Sequence, residues 1–202
     1  MSANAYLQGW KLFCDKRRSV PSFVDKVAER KLNRFRARFM AAVNFKALVM
    51  ENASEKLARG YSAGVRLLLA YSAAETLGNA IGSDIKTWTL SDSSLIEPIR
   101  NICGSYDDDQ DGLDSPKLRM QLASFVSGND DNLRVAATAL RVLMAHGHFA
   151  PSNAVYTRRH SDAVVHLSNL LLQESQRHFV AWLEHKIEAT VIDGASLDQE
   201  TK

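Results

Sequence analysis

Cysteine, proline and glycine are scarce in this chain. Its 202 residues include two Cys, four Pro and ten Gly. The two cysteines, Cys14 and Cys103, exclude a disulfide framework and any all-cysteine metal cluster, and they are expected to be reduced thiols. So little Pro and Gly excludes a fibrous or linker-like chain. With 46% hydrophobic and 24% charged residues, the composition is that of a globular protein with a sizeable core.

Long apolar runs are missing as well. Residues Phe39–Met50 include Lys46, and Val65–Leu77 is interrupted by Glu75, so neither run predicts a membrane span. The N-terminus lacks the apolar stretch of a signal peptide. We therefore expect a cytoplasmic protein without a membrane partner.

The chain has almost no excess of charge of either sign, since its formal net charge is only +2. Its distribution is uneven. Residues 1–50 hold 11 Lys/Arg and three Asp/Glu, a balance of +8, whereas residues 51–150 have a balance of −4 and residues 151–202 of −2. The basic end could attract phosphate. The alternative is an ordinary solvated helix face.

What the sequence does have is helical periodicity, and it shows no convincing pair of strands. This predicts a single all-α bundle of six to seven helices with an N-terminal helical arm. We expect residues 1–54 to form a basic helical arm packed on the bundle, residues 55–190 the bundle, and residues 191–202 a flexible tail. The predicted helices are Asn4–Arg17, a long helix starting at Pro21 or Ser22 with a break near Glu51–Ser54, Glu55–Ile81, Ser93–Cys103, Ser115 to Val126, Asp131–His146 and Ser161–Thr190.

Two of these helices carry patterns that matter below. In Glu55–Ile81, the side predicted to be buried consists mainly of large residues: Leu57, Tyr61, Val65, Leu68, Leu69, Ser72, Leu77 and Ile81. In Asp131–His146, two of three faces are apolar, so this helix should lie centrally in the bundle. Its narrow polar face carries Arg134, Thr138 and Arg141. Glycines at 82 and 147 are predicted to end the two helices.

Metal sites are poorly supported. Asp107, Asp109, Asp111 and Gly112 fit positions one, three, five and six of a calcium loop, but the twelfth position is Leu118 rather than Glu. The alternative is an exposed acidic connector. None of the four histidines around the last helix has the spacing of a zinc pair: His160, His166, His178 and His185. We expect no metal and no cofactor.

Arg141 and His146 form the most suggestive pair. A guanidinium can bind a phosphate with paired donors, and an imidazole titrates near neutrality, so the two could cleave RNA without a metal. On an ideal helix they lie about 140° apart, and only the helix end at Gly147 or a second subunit could bring them together. The alternative is structural: Arg141 pairs with Glu75 or an acidic loop residue, and His146 caps its helix.

The segment Ala139-Leu-Arg-Val-Leu-Met-Ala-His-Gly-His-Phe-Ala-Pro151 resembles the signature of the HEPN superfamily, an arginine followed after four to six residues by a histidine at the end of a core helix. The segment Arg66–Leu77, with Glu75, resembles an upstream HEPN helix that often carries an aromatic residue and a glutamate. The resemblance covers about residues 55–190.

This resemblance implies a helical bundle that dimerises with its Arg/His motifs facing a shared cleft. Many HEPN members are metal-independent ribonucleases of toxin–antitoxin or antiphage systems, and others are non-catalytic. By this resemblance, Arg141 would bind the scissile phosphate and His146 would act as general acid or base, with His148, Arg134 and Glu75 as candidate auxiliary residues. Active members usually carry Asn, Asp or His after the arginine, where this chain has Val142.

The expected function is therefore an RNA-binding HEPN-like domain and candidate metal-independent endoribonuclease, acting as a homodimer with RNA and an antitoxin or other protein as partners. Trp10, Phe13 and the basic helix are expected to embrace the second subunit or to guide RNA. Two alternatives stay open. One is a non-catalytic helical interaction and dimerisation module. The other is a small-molecule or nucleotide sensor whose pocket uses Arg134 and Arg141.

Overall fold

A computed structural model of the protein describes residues 6–105, 112, 113, 115–148, 151 and 156–197, with side chains as far as residue 190. These residues form seven α-helices and one short 3-10 turn, and they contain no strand. The all-α prediction is therefore confirmed. The helices are α1 (Trp10–Ser19), α2 (Lys26–Asn44), α3 (Glu55–Ile81), α4 (Ser93–Gly104), α5 (Pro116–Val126), α6 (Leu133–Ala145) and α7 (Arg158–Leu197), with the 3-10 turn at Ile85–Thr87 between α3 and α4.

Capping chemistry sets most of the boundaries. In five helices the side chain before the first turn accepts backbone N–H groups that have no partner within the helix: Asp25, Ser54, Asp92, Ser115 and Asn132. Gly82 and Gly147 follow α3 and α6 with φ values of 74° and 77°. This left-handed conformation favours glycine and confirms both predicted helix ends.

Several boundaries differ from the prediction. Helix α2 ends at Asn44, before the expected break near Glu51–Ser54. The start of α2 at Pro21 or Ser22 is wrong, because Asp25 caps the helix by accepting from the N–H groups of Val27 and Ala28. The first helix begins at Trp10 rather than Asn4, although residues 1–5 lie outside the described part. The last helix starts before Ser161 and continues past Thr190 to Leu197.

Helix α3 is the central element, packed chiefly against α2 and α7 and also against α6. The prediction of its buried side was largely wrong. Leu77 is buried, but most of the other large residues on that list are only partly so. The fully buried positions are mainly small, and they let neighbouring helices approach closely on several sides: Gly60, Ala63, Gly64, Ala70, Ala73, Ala74 and Gly78.

The aromatic residues of α1 are buried rather than available to a second subunit or to RNA. Trp10 and Phe13 are 6% and 1% exposed. Their rings pack on Phe179 of α7, with centroid distances of 5.9 and 6.2 Å, and Phe13 also contacts Trp182 at 6.2 Å. The expected role for these two rings is therefore wrong, because apolar contacts with α7 cover them.

Helix α6 lies centrally, as predicted. Every residue from Leu133 to Leu140 is buried except Thr138. Its first N–H donates to the carbonyl of Leu90 at 3.0 Å, which ties the helix to the segment after the 3-10 turn. None of the helices in the described ranges is both long enough and apolar enough to cross a membrane.

Candidate functional site

The polar face of α6 meets α3 through a short chain of hydrogen bonds. The Thr138 hydroxyl donates to the carbonyl of Arg134 one turn earlier, at 2.8 Å. The phenol oxygen of Tyr71 lies 3.1 Å from the same hydroxyl. Because the Thr138 proton is already used, Tyr71 is the donor in this second bond. Burial raises the pKa of the Tyr71 phenol, and so it keeps its proton near neutral pH.

Arg141 lies one turn further along α6 and contacts the ring of Tyr71. Its Cζ atom lies 5.2 Å from the centre of the Tyr71 ring, and its Nη2 atom lies 3.6 Å from the Glu75 carboxylate. The side chains of Arg141 and Glu75 are 37% and 44% exposed. The cation is thus oriented by an aromatic face and a carboxylate while part of it stays open to solvent. The Arg141–Glu75 pair that the structural alternative expected is present.

His146 is the residue that ends α6. Its backbone N–H donates to the carbonyl of Val142 at 3.0 Å, so the backbone rather than the ring satisfies the helix end. The imidazole is exposed and has no hydrogen-bond or ion-pair partner within the described part of the chain. No hydrogen bond joins Arg141 to His146 within those same residues. That the two groups act together stays a prediction.

The candidate auxiliary residues lie in different surroundings. His148 is exposed at the surface, and its ring covers Gly112, whose ideal Cβ would lie only 2.6 Å from the imidazole Cδ2 atom. Arg134 is only 7% exposed, and its Nε atom has no hydrogen-bond partner. The structure brings Glu75 to Arg141, and no hydrogen bond or ion pair among the described residues joins either of them to the ring of His146.

Arg134 lines a cavity of about 330 Å³ that is open to solvent and lies between the 3-10 turn, α5 and α6. Two lysines that the sequence did not single out, Lys86 and Lys117, lie in its wall. The remaining lining residues are Ser115, Leu118, Gln121 and Thr138. A second cavity, of about 400 Å³, lies beside α3 and also includes Lys86, together with Tyr71, Glu75 and Asn79. The two cavities therefore flank the same lysine.

Basic side chains border the C-terminal half of α3. Lys31 of α2 donates to the carbonyl of Asn79 at 3.1 Å, and Arg38 donates to the hydroxyl of Thr76. Arg141 and Lys86 lie on the other side of the same half-helix. These four cations come from three elements that are far apart in sequence. Only folding shows that cations of the basic N-terminal region and Arg141 contact the same half of α3, on different sides of it.

The other histidines have different neighbours. The Nε2 atom of His166 lies 3.4 Å from an Asp92 carboxylate oxygen. His178 stacks on Trp88, with ring centres 4.2 Å apart. Among the residues that the structure describes, no three His, Cys, Asp or Glu side chains group in a way that could hold a metal ion. Most of the acidic segment Asp107–Asp114, including every aspartate of the suggested calcium loop, lies outside those residues.

Comparison of the chain with known protein families, with curated proteins and with solved structures gives no match.

Proposed function

We propose that this protein is a HEPN-like domain that binds RNA at Arg141 and cleaves it without a metal as a homodimer. The observation that carries the proposal is the setting of Arg141. Its guanidinium lies on the Tyr71 ring beside the Glu75 carboxylate and is partly open to solvent, so a phosphate can reach its paired donors.

The chemistry proposed is internal transesterification. The 2′-hydroxyl oxygen attacks the adjacent phosphorus, its proton passes to the neutral imidazole of His146, and the bond from phosphorus to the 5′ oxygen breaks. That oxygen takes a proton from an imidazolium, leaving a 2′,3′-cyclic phosphate and a 5′-hydroxyl. Arg141 stabilises the extra negative charge on the phosphorane.

The homodimer is part of the proposal because of how the groups are arranged in one subunit. Arg141 points to Tyr71 and Glu75 on α3, whereas His146 lies at the exposed end of α6. Pairing Arg141 of one subunit with the exposed imidazole of a second would complete the acid–base pair. Sedimentation equilibrium tests this part: a chain that stays monomeric at enzyme-assay concentrations and still cleaves RNA would contradict it.

The activity is tested by incubating the purified protein with mixed-sequence RNA in excess chelator. Arg141→Ala and His146→Ala should each lower the cleavage rate by about 100-fold or more, since general acid–base catalysis and charge stabilisation each contribute that much. Lys186→Gln, at an exposed position on α7, is the matched control and should cleave normally. Wild-type rates in both site variants would refute the assignment.

RNA binding is tested separately by fluorescence anisotropy at several salt concentrations. Binding that weakens steeply as salt rises, with loss of affinity in Arg141→Ala, is the expected result. The same binding without any cleavage would support a non-catalytic RNA-binding module, a result that Val142 after the motif arginine makes worth testing. Absence of RNA binding would refute both.

A further inference from the structure

We propose that the cavity between the 3-10 turn, α5 and α6 binds the phosphate group of a small phosphorylated molecule of about nucleotide size. The cavity does not include Arg141 or His146, and this inference therefore does not depend on RNA cleavage. It rests on Arg134, Lys86 and Lys117, three cations that the fold brings together in the lining of one cavity.

Arg134 is the principal observation. The residue is more than nine-tenths buried, it lines the cavity, and its Nε–H has no acceptor among the described residues. A buried guanidinium normally has a carboxylate or another acceptor, because removing a charge from water without a partner is costly. None of the described residues that line this cavity is acidic. An anion in the cavity would offset the charge of this guanidinium.

The two lysines extend the positive charge to the mouth of the cavity. Lys86 belongs to the 3-10 turn and Lys117 to the first turn of α5, and both are exposed. Neither ammonium group has an ion-pair partner among the described residues. Ser115 caps α5 by accepting from the N–H of Leu118, so its own hydroxyl proton can still be donated to a ligand. The helix N-terminus adds a favourable partial charge.

Depth and shape favour a terminal phosphate over the backbone of a nucleic acid. A phosphodiester has a sugar on each side, so it lies along a surface and cannot place its phosphate against a side chain that is 7% exposed. A terminal phosphate carries up to two charges and has one substituent, which can trail toward the mouth. The volume of about 330 Å³ falls at the lower end of small-ligand pockets. Leu118 and Gln121 supply an apolar contact and an amide for the remainder of such a ligand.

The test is isothermal titration calorimetry of the full chain with pyrophosphate, AMP and ATP, each without divalent metal. Saturable binding of at least one is expected. The double variant Lys86→Gln/Lys117→Gln should weaken it by tenfold or more, because both changes are at exposed positions and leave the fold intact. Arg134→Met preserves the side-chain volume and should abolish binding. Lys186→Gln, an exposed lysine on α7, should bind as the wild type does.

Three outcomes would overturn the proposal. One is the absence of saturable binding for all three probes. Another is wild-type affinity in the lysine double variant, which keeps the test decisive even if Arg134→Met fails to fold. The third is binding of a single-stranded RNA with a 5′-hydroxyl that depends on Lys86 and Lys117 and is not displaced by any of the three probes. That result would assign the cavity to an RNA surface.

Discussion

The guanidinium of Arg141 lies over the ring of Tyr71, with its Cζ atom 5.2 Å from the ring centre. Tyr71 is itself fixed, because it is buried in α3 and its hydroxyl bonds Thr138 of α6. The aromatic face therefore acts as a rigid support for a cation that remains partly solvated. The ring of Tyr71 supports Arg141, whereas its hydroxyl bonds Thr138. Substitutions can therefore distinguish the contribution of the ring from that of the hydroxyl.

Tyr71→Leu should weaken RNA binding several-fold, whereas Tyr71→Phe should leave it nearly unchanged. The leucine removes the ring under Arg141, a contact worth about 0.5–2 kcal/mol, and the phenylalanine keeps it. Both variants lose the bond to Thr138, which costs about 1 kcal/mol of the free energy of unfolding. Anisotropy measures the first effect and urea denaturation the second. Equal affinity in the two variants would contradict a role for the ring in RNA binding.

Glu75→Gln should tighten RNA binding by about two- to fivefold at low salt. Its carboxylate lies 3.6 Å from Arg141 and competes with an incoming phosphate for the same cation. Because the pair is about 40% exposed, its loss should change stability by less than about 1 kcal/mol. The matched control is Glu184→Gln, at an exposed position on α7. An unchanged affinity would indicate that Arg141 serves only to join α6 to α3.

Gly78→Ala should lower the free energy of unfolding by about 1–3 kcal/mol, as overpacking does. An ideal Cβ at Gly78 would lie 2.4 Å from the carbonyl oxygen of Ser83, which is backbone and cannot move aside cheaply. Gly104→Ala is the matched control, because among the described residues its Cβ would meet Val126 alone, at an ordinary 3.6 Å. That variant should be neutral or up to about 1 kcal/mol more stable. Equal effects at the two positions would contradict this account of α3.

How far the sequence predicts this fold is best judged from α3 and α6. The end of α3 followed from Gly82, since a left-handed glycine is a local effect, and its start followed from the predicted break near Glu51–Ser54, where the structure shows Ser54 as the cap. Its buried side did not, because ranking residues by size favours Leu68 and Leu69 over Ala73 and Ala74. A helix that packs against neighbours on several sides needs small residues where those neighbours approach. The hydrophobic periodicity of the helix itself does not indicate where its neighbours lie.

The candidate site likewise contains some residues that the sequence predicted and others that it did not. The sequence indicated Arg141, His146 and the possible pair with Glu75, because these follow from spacing along two helices. It could not indicate Lys86 and Lys117, because the cavity around Arg134 forms only when the 3-10 turn and α5 pack together. The unpaired Nε of Arg134 is likewise a consequence of packing. Motif residues were therefore predictable, whereas the cavity beside them was not.

His178 should make the protein less stable as the pH falls from 7 to 5. Burial lowers its pKa, with Arg177 adding to the effect and Glu174 opposing it. The unfolded chain then binds a proton near pH 6.5 that the folded chain does not, and stability is lost as the pH falls through this range. His178→Gln should reduce the slope of unfolding free energy against pH, and His185→Gln, exposed on the same helix, should not. Equal slopes would exclude His178 as the source.

Cys103 should make the protein less stable as the pH rises in the alkaline range. Burial raises the pKa of its thiol from an ordinary 9.0 to about 12. Between these values the unfolded chain loses a proton that the folded chain keeps, so stability falls as the pH rises. At pH 10 this contribution is about 1.4 kcal/mol relative to neutral pH. Cys103→Val should remove it, whereas Cys14→Val, at a half-buried position, should not. Urea denaturation at pH 7.5 and 10 measures the difference, and an unchanged loss in Cys103→Val would assign the effect to other groups, such as the buried phenol of Tyr71.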